Sequence, residues 1–201
     1  MNYYNMNRQK LIEILMHKDD MLQKLRLENK KLNYLVSTDS MTGVLNRKSG
    51  LGLLERELKL AKDNDENLVI SFIDVDGLKI INDTFGHEQG DKLLISVAEI
   101  LKKSIRKTDF AIRMGGDEFL VVFPKTTMKE VNTVWGRIIK LIEESNKNNE
   151  KYNLSLSYGF YEYSKETEEK LTSKDLIRMA DREMYRIKRG KKRNYAINVE
   201  K

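Results

Sequence analysis

Two strand-like segments separated by a pair of glycines constrain the fold of this 201-residue chain more than any other feature. Residues 109–114 and 117–123 are rich in apolar and β-branched side chains, which favours extended structure. Gly115 and Gly116 between them tolerate the positive φ angles that a two-residue hairpin turn requires. The pattern therefore predicts an antiparallel hairpin, which the fold must accommodate within a sheet.

The remaining periodicities predict alternating helices and strands around this hairpin. Strands are predicted at residues 67–75, 153–161 and 195–199, and helices at 47–62, 89–103, 128–145 and 173–188. From the first strand the order is β-α-β-β-α-β with additional elements. This order predicts an α+β fold, a split βαβ sandwich with helices packed on an antiparallel-containing sheet.

The N-terminal segment predicts a separate element. Residues 7–36 contain neither Gly nor Pro and form a heptad pattern with six apolar residues among eight core positions: Leu11, Lys18, Leu25 and Leu32 at a, and Ile14, Met21, Glu28 and Leu35 at d. This indicates a short coiled coil that dimerises the protein; the alternative is a helix docked on its own domain. The polar residues 37–40 predict the boundary, giving a helix over 1–36 and a domain over 37–201.

Composition limits the classes of function without selecting one. The apolar runs fall far short of the roughly 20 residues that a membrane span needs, and the N-terminus lacks the pattern of a secretory signal, so we expect a cytoplasmic protein without a membrane partner. The net charge of +6 fits an anionic partner, whether nucleic acid, an anionic membrane surface or nucleotide phosphates. The basic residues near the C-terminus make nucleic-acid binding an alternative, but they leave the acidic residues described next unexplained.

Two acidic pairs lie where strands are predicted to end or begin. Asp74 and Asp76 end an apolar strand and alternate onto one face, while Asp117 and Glu118 follow the glycine pair. If the hairpin lies beside the first strand, Asp74 and Asp117 come together. A few carboxylates with open positions for phosphate oxygens suit magnesium. The alternative is that acidic residues simply gather at strand ends and turns.

The segment between the acidic pairs carries groups that suit a nucleotide. It follows a strand, opens a helical turn at Gly77 and contains Lys79, so its backbone N–H groups and a cation could hold a polyphosphate. Asn82 and Asp91 could read a purine, because a carboxylate accepts from guanine donors and an amide donates to its O6 atom. Both residue types are also ordinary helix caps.

Three linked motifs resemble those of the GGDEF family of diguanylate cyclases. Residues 115–119 contain Gly-Gly-Asp-Glu-Phe intact; residues 39–47 are similar to the family's Asp-x-Leu-Thr-Gly-Leu-x-Asn-Arg opening; and residues 72–91 resemble its Asp-x-Asp-x-Phe-Lys stretch and the sequence that follows. The resemblance covers about residues 38–194. It implies the palm-like fold of nucleotidyl cyclases and polymerases.

The resemblance also implies roles for individual residues. The metal, Mg²⁺ or alternatively Mn²⁺, would be bound by Asp74, Asp117, Glu118 and the Val75 carbonyl. The implied catalytic residues are Asp74, Asp117 and Glu118. Glu118 is either a metal ligand or the base. Substrate binding falls to Asn82 and Asp91 for guanine, and to Gly77, Leu78, Lys79, Gly115, Gly116, Lys188 and either Lys192 or Arg193 for the remainder. The last two stay open because residues 188–194 depart from the family's Lys-x-x-Gly-Arg-Asn pattern.

The implied activity is the condensation of two GTP molecules into cyclic di-GMP by a homodimer, without a nucleic-acid partner. Arg106 and Asp109 form an Arg-x-x-Asp pattern at the family's product-binding inhibitory site, and both side chains offer the donors and acceptors that a guanine nucleotide needs. The alternative is a catalytically inactive GGDEF domain that binds cyclic di-GMP or GTP. Such domains usually lose the signature acids, which are present here.

Overall fold

The computed structural model describes residues 8–149, 151–166 and 170–199, with side chains given outside 29–35 and 192–199. The chain divides into two compact units, residues 1–37 and 38–201. Within the described residues, no helix combines the length and apolar character that crossing a membrane requires.

The first unit is a single helix, α1 (Arg8–Ser37). Several of its apolar side chains are exposed to solvent, among them Met21 and Leu25 at predicted core positions of the heptad. The heptad positions Leu32 and Leu35 belong to the residues whose side chains are not described. Whether this helix pairs with a second copy stays a prediction.

The second unit contains five strands and five helices in the described residues. In chain order they are β1 (Leu45–Asn46), α2 (Arg47–Asn64), β2 (Leu68–Val75), α3 (Leu78–Phe85), α4 (His87–Ser104), β3 (Phe110–Gly115), β4 (Glu118–Pro124), α5 (Met128–Lys147), β5 (Leu156–Tyr163) and α6 (Ser173–Val199). The predicted βαββαβ order and the α+β class are confirmed.

The sheet has the order β1-β3-β4-β2-β5, which places β2 between two antiparallel neighbours. All eight residues of β2 are buried. Its apolar side chains alternate between two cores, because successive residues of a strand point to opposite faces. Val69 and Ile73 join α4 and α5 in one core, whereas Ile70 and Phe72 join α2 and α6 in the other.

Helix α6 lies directly on β5 because of one glycine. A Cβ atom built on Gly159 would lie 2.2 Å from the Ala180 carbonyl oxygen and 2.2 Å from the Met184 nitrogen, both in the backbone of α6. Any side chain at this position would push the helix away from the sheet. The close contact therefore fixes the helix that carries the basic residues of the C-terminal segment.

Two details differ from the sequence predictions. The strand predicted at residues 195–199 is wrong, because α6 continues as a helix to Val199. The segment 191–199 contains no proline and several good helix formers, so the helix has no local reason to stop. The short edge strand β1, which pairs in parallel with β3, was not predicted, since two residues carry no periodicity.

Candidate active site

The acidic residues of two motifs meet where the end of β2 lies beside the start of β4, two adjacent strands inside the sheet. Asp74, near the end of β2, lies opposite Glu118, the first residue of β4. The Val75 N–H donates a hydrogen bond of 3.0 Å to the Asp117 carbonyl oxygen. The hairpin thus lies beside the first predicted strand, and the ladder between β2 and β4 brings the acids together.

The environment of Asp74 disfavours an isolated negative charge. Its side chain is only 7% exposed, and burial, together with the charges of Asp117 and Asp76, raises its pKa despite an opposing ion pair with Lys188. Burial likewise raises the pKa of Glu118, and the neighbouring Asp117 and Asp74 add to the effect. Carboxylates held together in this way are stabilised by a bound cation.

One oxygen of Asp74 fits a metal ligand. Its Oδ2 atom accepts a hydrogen bond of 2.6 Å from Lys188 Nζ, while Oδ1 is buried and has no hydrogen-bond partner in the described part of the chain. A buried carboxylate oxygen without a partner is costly unless a ligand satisfies it. Mg²⁺ is usually bound through one or two carboxylates plus substrate phosphates, so Asp74 and Glu118 fit such an ion.

A cavity of about 570 Å³ opens beside Asp117 and Asp76. Gly77, Leu78 and Lys79 line it together with Asp117 and Lys188. Gly77 precedes α3 with a φ of 77°, a conformation that side chains other than that of glycine rarely adopt. The loop therefore turns sharply from β2 into α3 at the point where backbone N–H groups become available to a phosphate.

The two residues predicted to read guanine lie where α3 and α4 pack. A Cβ atom on Gly90 would lie 1.9 Å from Asn82 Oδ1, so a glycine here lets α4 approach the asparagine. Within the described residues, Asn82 Oδ1 is buried and lacks a hydrogen-bond partner. Asp91 follows Gly90 directly and is exposed. The structure thus brings Asn82 close to the turn of α4 that carries Asp91.

The C-terminal basic residues contribute differently from what the motif suggested. Lys188 reaches Asp74, and Lys191, one turn further along α6, donates a hydrogen bond of 2.8 Å to Asp76 Oδ2. The side chains of Lys192 and Arg193 lie outside those described. Sequence reasoning missed Lys191, although its i, i+3 spacing from Lys188 puts both residues on one helix face.

Asp76 is the second carboxylate of the strand end and has its own set of donors. It accepts hydrogen bonds of 2.6 Å from the hydroxyl groups of Ser155 and Ser157, in addition to the one from Lys191. Although burial opposes it, these donors lower the pKa of Asp76. Asp74 in β2 and Asp76 directly after it therefore have opposite electrostatic environments.

Arg113 connects the glycine turn to the first motif. Its guanidinium donates to the Gly116 carbonyl oxygen at 2.9 Å and to Asp39 Oδ1 at 3.1 Å. Asp39 in turn accepts from the backbone N–H and the hydroxyl group of Thr42, forming a turn. The residues before Leu45 thus support the turn that holds Asp117. Sequence reasoning missed this role of Arg113.

Arg106 and Asp109 form a compact turn away from the acids. The Arg106 N–H donates to Asp109 Oδ2 at 2.9 Å, and the Asp109 N–H donates to the Arg106 carbonyl oxygen at 3.1 Å. The Arg106 guanidinium lies 3.8 Å from Glu130, half-exposed. Burial raises the pKa of Asp109, opposed in part by Arg106 and by Arg137, a second arginine that the sequence had not singled out.

The five-stranded sheet with its packed helices, and with acids at the ends of β2 and β4 beside a sharply turned loop, defines an α+β domain of the palm-like class. Comparison with known proteins specifies the family. Residues 36–194 match the family described as "Diguanylate cyclase, GGDEF domain". The chain belongs to the GGDEF family.

Curated relatives and solved structures agree with this assignment. The chain is 33% identical over 185 residues to the diguanylate cyclase DgcP of Escherichia coli, covering 91% of this chain and 53% of DgcP. It is 33% identical over 174 residues to diguanylate cyclase A of Treponema denticola, covering 84% and 46%. The chain thus spans about half the length of these relatives.

Among solved structures, the coiled coil and GGDEF domain of DgcB from Caulobacter crescentus in complex with c-di-GMP superposes with a TM-score of 0.72. That likeness has 25% identity and covers 90% of this chain and 95% of that one. The diguanylate cyclase SiaD of Pseudomonas aeruginosa, solved with its activator SiaC, gives a TM-score of 0.75 at 26% identity, covering 90% and 69%.

Proposed function

We propose that this protein is an active diguanylate cyclase that condenses two GTP molecules into cyclic di-GMP in the cytoplasm. The observation that carries the proposal is the pairing of Asp74, near the end of β2, with Glu118 at the start of β4. One buried oxygen of Asp74 has no partner among the described residues. Asp117 lines the cavity of the Gly77–Lys79 loop, whereas Asp74 and Glu118 line a second cavity, and Lys188 lines both.

Asp74, Asp117, Glu118 and the Val75 carbonyl would hold the metal, Mg²⁺ or alternatively Mn²⁺. When bound, such an ion lowers the pKa of a coordinated hydroxyl group and neutralises charge on phosphate oxygens. Gly77, Leu78, Lys79 and Lys188 would hold the triphosphate, Gly115 and Gly116 would admit it close to the backbone, and Asn82 with Asp91 would select guanine. Lys192 or Arg193 remains the proposed further phosphate contact.

The reaction requires two copies of the domain. The 3′ oxygen of each GTP attacks the α-phosphorus of the other; two phosphorus–oxygen bonds form, two pyrophosphates leave, and each hydroxyl proton is lost to a base. One domain offers a single set of acids and a single phosphate loop, so we propose a homodimer in which two loaded domains face each other. The exposed apolar residues of α1 favour this helix as the dimerising element.

Incubation of the purified protein with GTP and Mg²⁺, followed by separation of the nucleotides, tests the proposal. We expect cyclic di-GMP and two equivalents of pyrophosphate for each molecule formed. An inactive receptor would bind GTP or cyclic di-GMP without forming product. Absence of turnover at high protein concentration with either Mg²⁺ or Mn²⁺ would contradict the proposed activity.

Asp91→Ser should weaken the preference for GTP over ATP. Removing the carboxylate leaves guanine donors without their acceptor, which costs about 1–3 kcal/mol for an unsatisfied group. Competition between the two nucleotides in a single reaction measures the preference. Asp83→Ser, on the neighbouring helix α3, serves as the control. An unchanged preference in Asp91→Ser would remove Asp91 from the base pocket.

Arg106→Ala should relieve product inhibition while leaving the initial rate unchanged. The guanidinium offers a forked pair of donors to phosphate or guanine, and it lies on a turn separate from the acids. Initial rates at increasing cyclic di-GMP concentration measure the effect, with Lys107→Ala as the matched control. If cyclic di-GMP inhibits Arg106→Ala and the parent equally, this turn is not the inhibitory site.

A further inference from the structure

A polar cluster that contains none of the residues assigned to metal or substrate binding joins three parts of the fold beside the proposed phosphate site. Its members are Asp76, Ser155, Ser157 and Lys191, which we call the Asp76 cluster. Asp76 accepts hydrogen bonds from both serine hydroxyl groups at 2.6 Å and from Lys191 at 2.8 Å. Its backbone N–H also donates to the Ser155 carbonyl oxygen at 2.9 Å. The residue that follows β2 is thereby tied to the start of β5.

Lys191 uses all of its donor capacity within this cluster. An ammonium group carries three N–H donors, and Lys191 Nζ has three acceptors: Asp76 Oδ2 at 2.8 Å, Ser155 Oγ at 3.1 Å and the Leu156 carbonyl oxygen at 2.6 Å. Its side chain is 34% exposed, compared with 56% for Lys92 and 71% for Lys103, which pair with acids on the surface of α4. Lysine here bridges α6 to β2 and β5.

The position of the cluster links it to phosphate binding. Asp76 immediately precedes Gly77, where the proposed phosphate loop begins, and Lys191 lies one helical turn beyond Lys188. The loop and Lys188 are more than 100 positions apart in the sequence. The Lys191–Asp76 contact, which spans 115 positions, connects the two regions. Lys188 is already held near the end of β2 by Asp74, and α6 is packed on β5 at Gly159. The Lys191–Asp76 contact adds a further link at the residue directly before the loop.

We propose that Lys191 is a positioning residue that holds Lys188 and the Gly77–Lys79 loop at the spacing required by the β- and γ-phosphates of the substrate. The proposal rests on the proposed function, because it concerns the same GTP site. It also assigns a role to Asp76: both oxygens of this carboxylate accept hydrogen bonds from protein donors and serve the link, whereas Asp74 Oδ1 has no partner among the described residues.

Binding of two nucleotides to Lys191→Met tests the proposal. The probes are a GTP analogue with a methylene group between the α- and β-phosphorus atoms, which cannot lose pyrophosphate, and GMP, which lacks both outer phosphates. We expect the dissociation constant of the analogue to rise about tenfold, equivalent to about 1.4 kcal/mol, while that of GMP stays unchanged. Titration calorimetry with Mg²⁺ measures both constants.

Three further variants separate positioning from other roles. Asp76→Asn keeps the shape but removes the charge that holds Lys191, so it should also weaken binding of the analogue. If Lys191 instead contacted phosphate directly, Asp76→Asn would release it and tighten binding, which would overturn the proposal. Lys191→Arg can still pair with Asp76 and should recover part of the loss. The guanidinium of Arg186 pairs with Glu183 on the same helix, away from the cluster, so Arg186→Met should bind both nucleotides like the parent.

The outcomes distinguish this inference from the proposed function. If the parent protein binds neither nucleotide, the proposed function fails. If the parent binds the analogue and Lys191→Met binds it equally well, Lys191 has no positioning role. Equal weakening of the analogue and GMP would show a general loss of structure rather than positioning of the outer phosphates, and would also overturn the inference. Asp76→Asn, which should also weaken binding of the analogue but not of GMP, supplies the same comparison should Lys191→Met not fold.

Discussion

Asp117→Asn and Glu118→Gln should each lower the rate of cyclic di-GMP synthesis by about 100-fold or more, since a metal ion contributes several kcal/mol of charge stabilisation to phosphoryl transfer. Glu118 begins β4, which pairs with the end of β2, and Asp117 directly precedes it, so each change removes a charge next to Asp74 without removing an apolar contact. Initial rates at saturating GTP and Mg²⁺ measure the effect, and Glu99→Gln on α4 is the control.

The stability of Glu118→Gln separates loss of chemistry from loss of fold. Burial, followed by the charges of Asp117 and Asp74, raises the pKa of Glu118, so its ionised form destabilises the metal-free domain. The neutral glutamine should therefore unfold at the same or a higher temperature than the parent. Retention of more than a few per cent of turnover by both variants would contradict the assigned site, and a large fall in unfolding temperature would point to a structural role.

Removal of residues 1–36 should make the rate per enzyme depend steeply on protein concentration. The cyclase reaction needs two loaded domains, and tethering typically gives an effective concentration of about 1 mM. A truncated protein should therefore be slow when dilute and recover when concentrated. Initial rates across a dilution series, with light scattering for mass, measure the dependence.

A single substitution in α1 should reproduce the truncation. Leu25→Glu places a charge at an a position of the heptad, where a paired helix would bring two like charges together. Leu27→Glu is the matched control, because Leu27 is similarly exposed but lies at a c position outside the seam. If the truncated protein and Leu25→Glu keep full activity at every dilution, α1 does not dimerise the protein, and a helix docked on its own domain becomes the better interpretation.

The sequence predicted those parts of the fold that depend on local patterns. The hairpin at Gly115-Gly116 and the apolar strand before Asp74 are fixed by residue type and alternation, and placing one beside the other brought the acids together. The continuation of α6 to Val199 was missed because a short apolar stretch fits a strand and a helix equally well. Length and the absence of a helix stop decided between them.

The contacts that the sequence did not predict are those between side chains of distant elements. Lys191 and Arg113 each bind a carboxylate of another motif, yet neither has a local pattern that distinguishes it from a solvent-exposed basic residue. Their partners follow from the packing of α6 on Gly159 and from the pairing of β3 with β4. Such contacts become predictable only once the order of strands in the sheet is known.

The distance along the chain between Asp74 and Lys188 affects when the site forms during folding. Their contact spans 114 positions, and closing a long loop must be compensated by contacts that form at the same time. Domains emerge from the ribosome from their N-terminal end, so β2 and the hairpin of β3 and β4 are synthesised well before α6. A nascent chain can therefore assemble most of the sheet while the carboxylates still lack their lysines. The proposed phosphate site is completed only when α6 reaches the sheet, so we expect that no shorter intermediate condenses GTP.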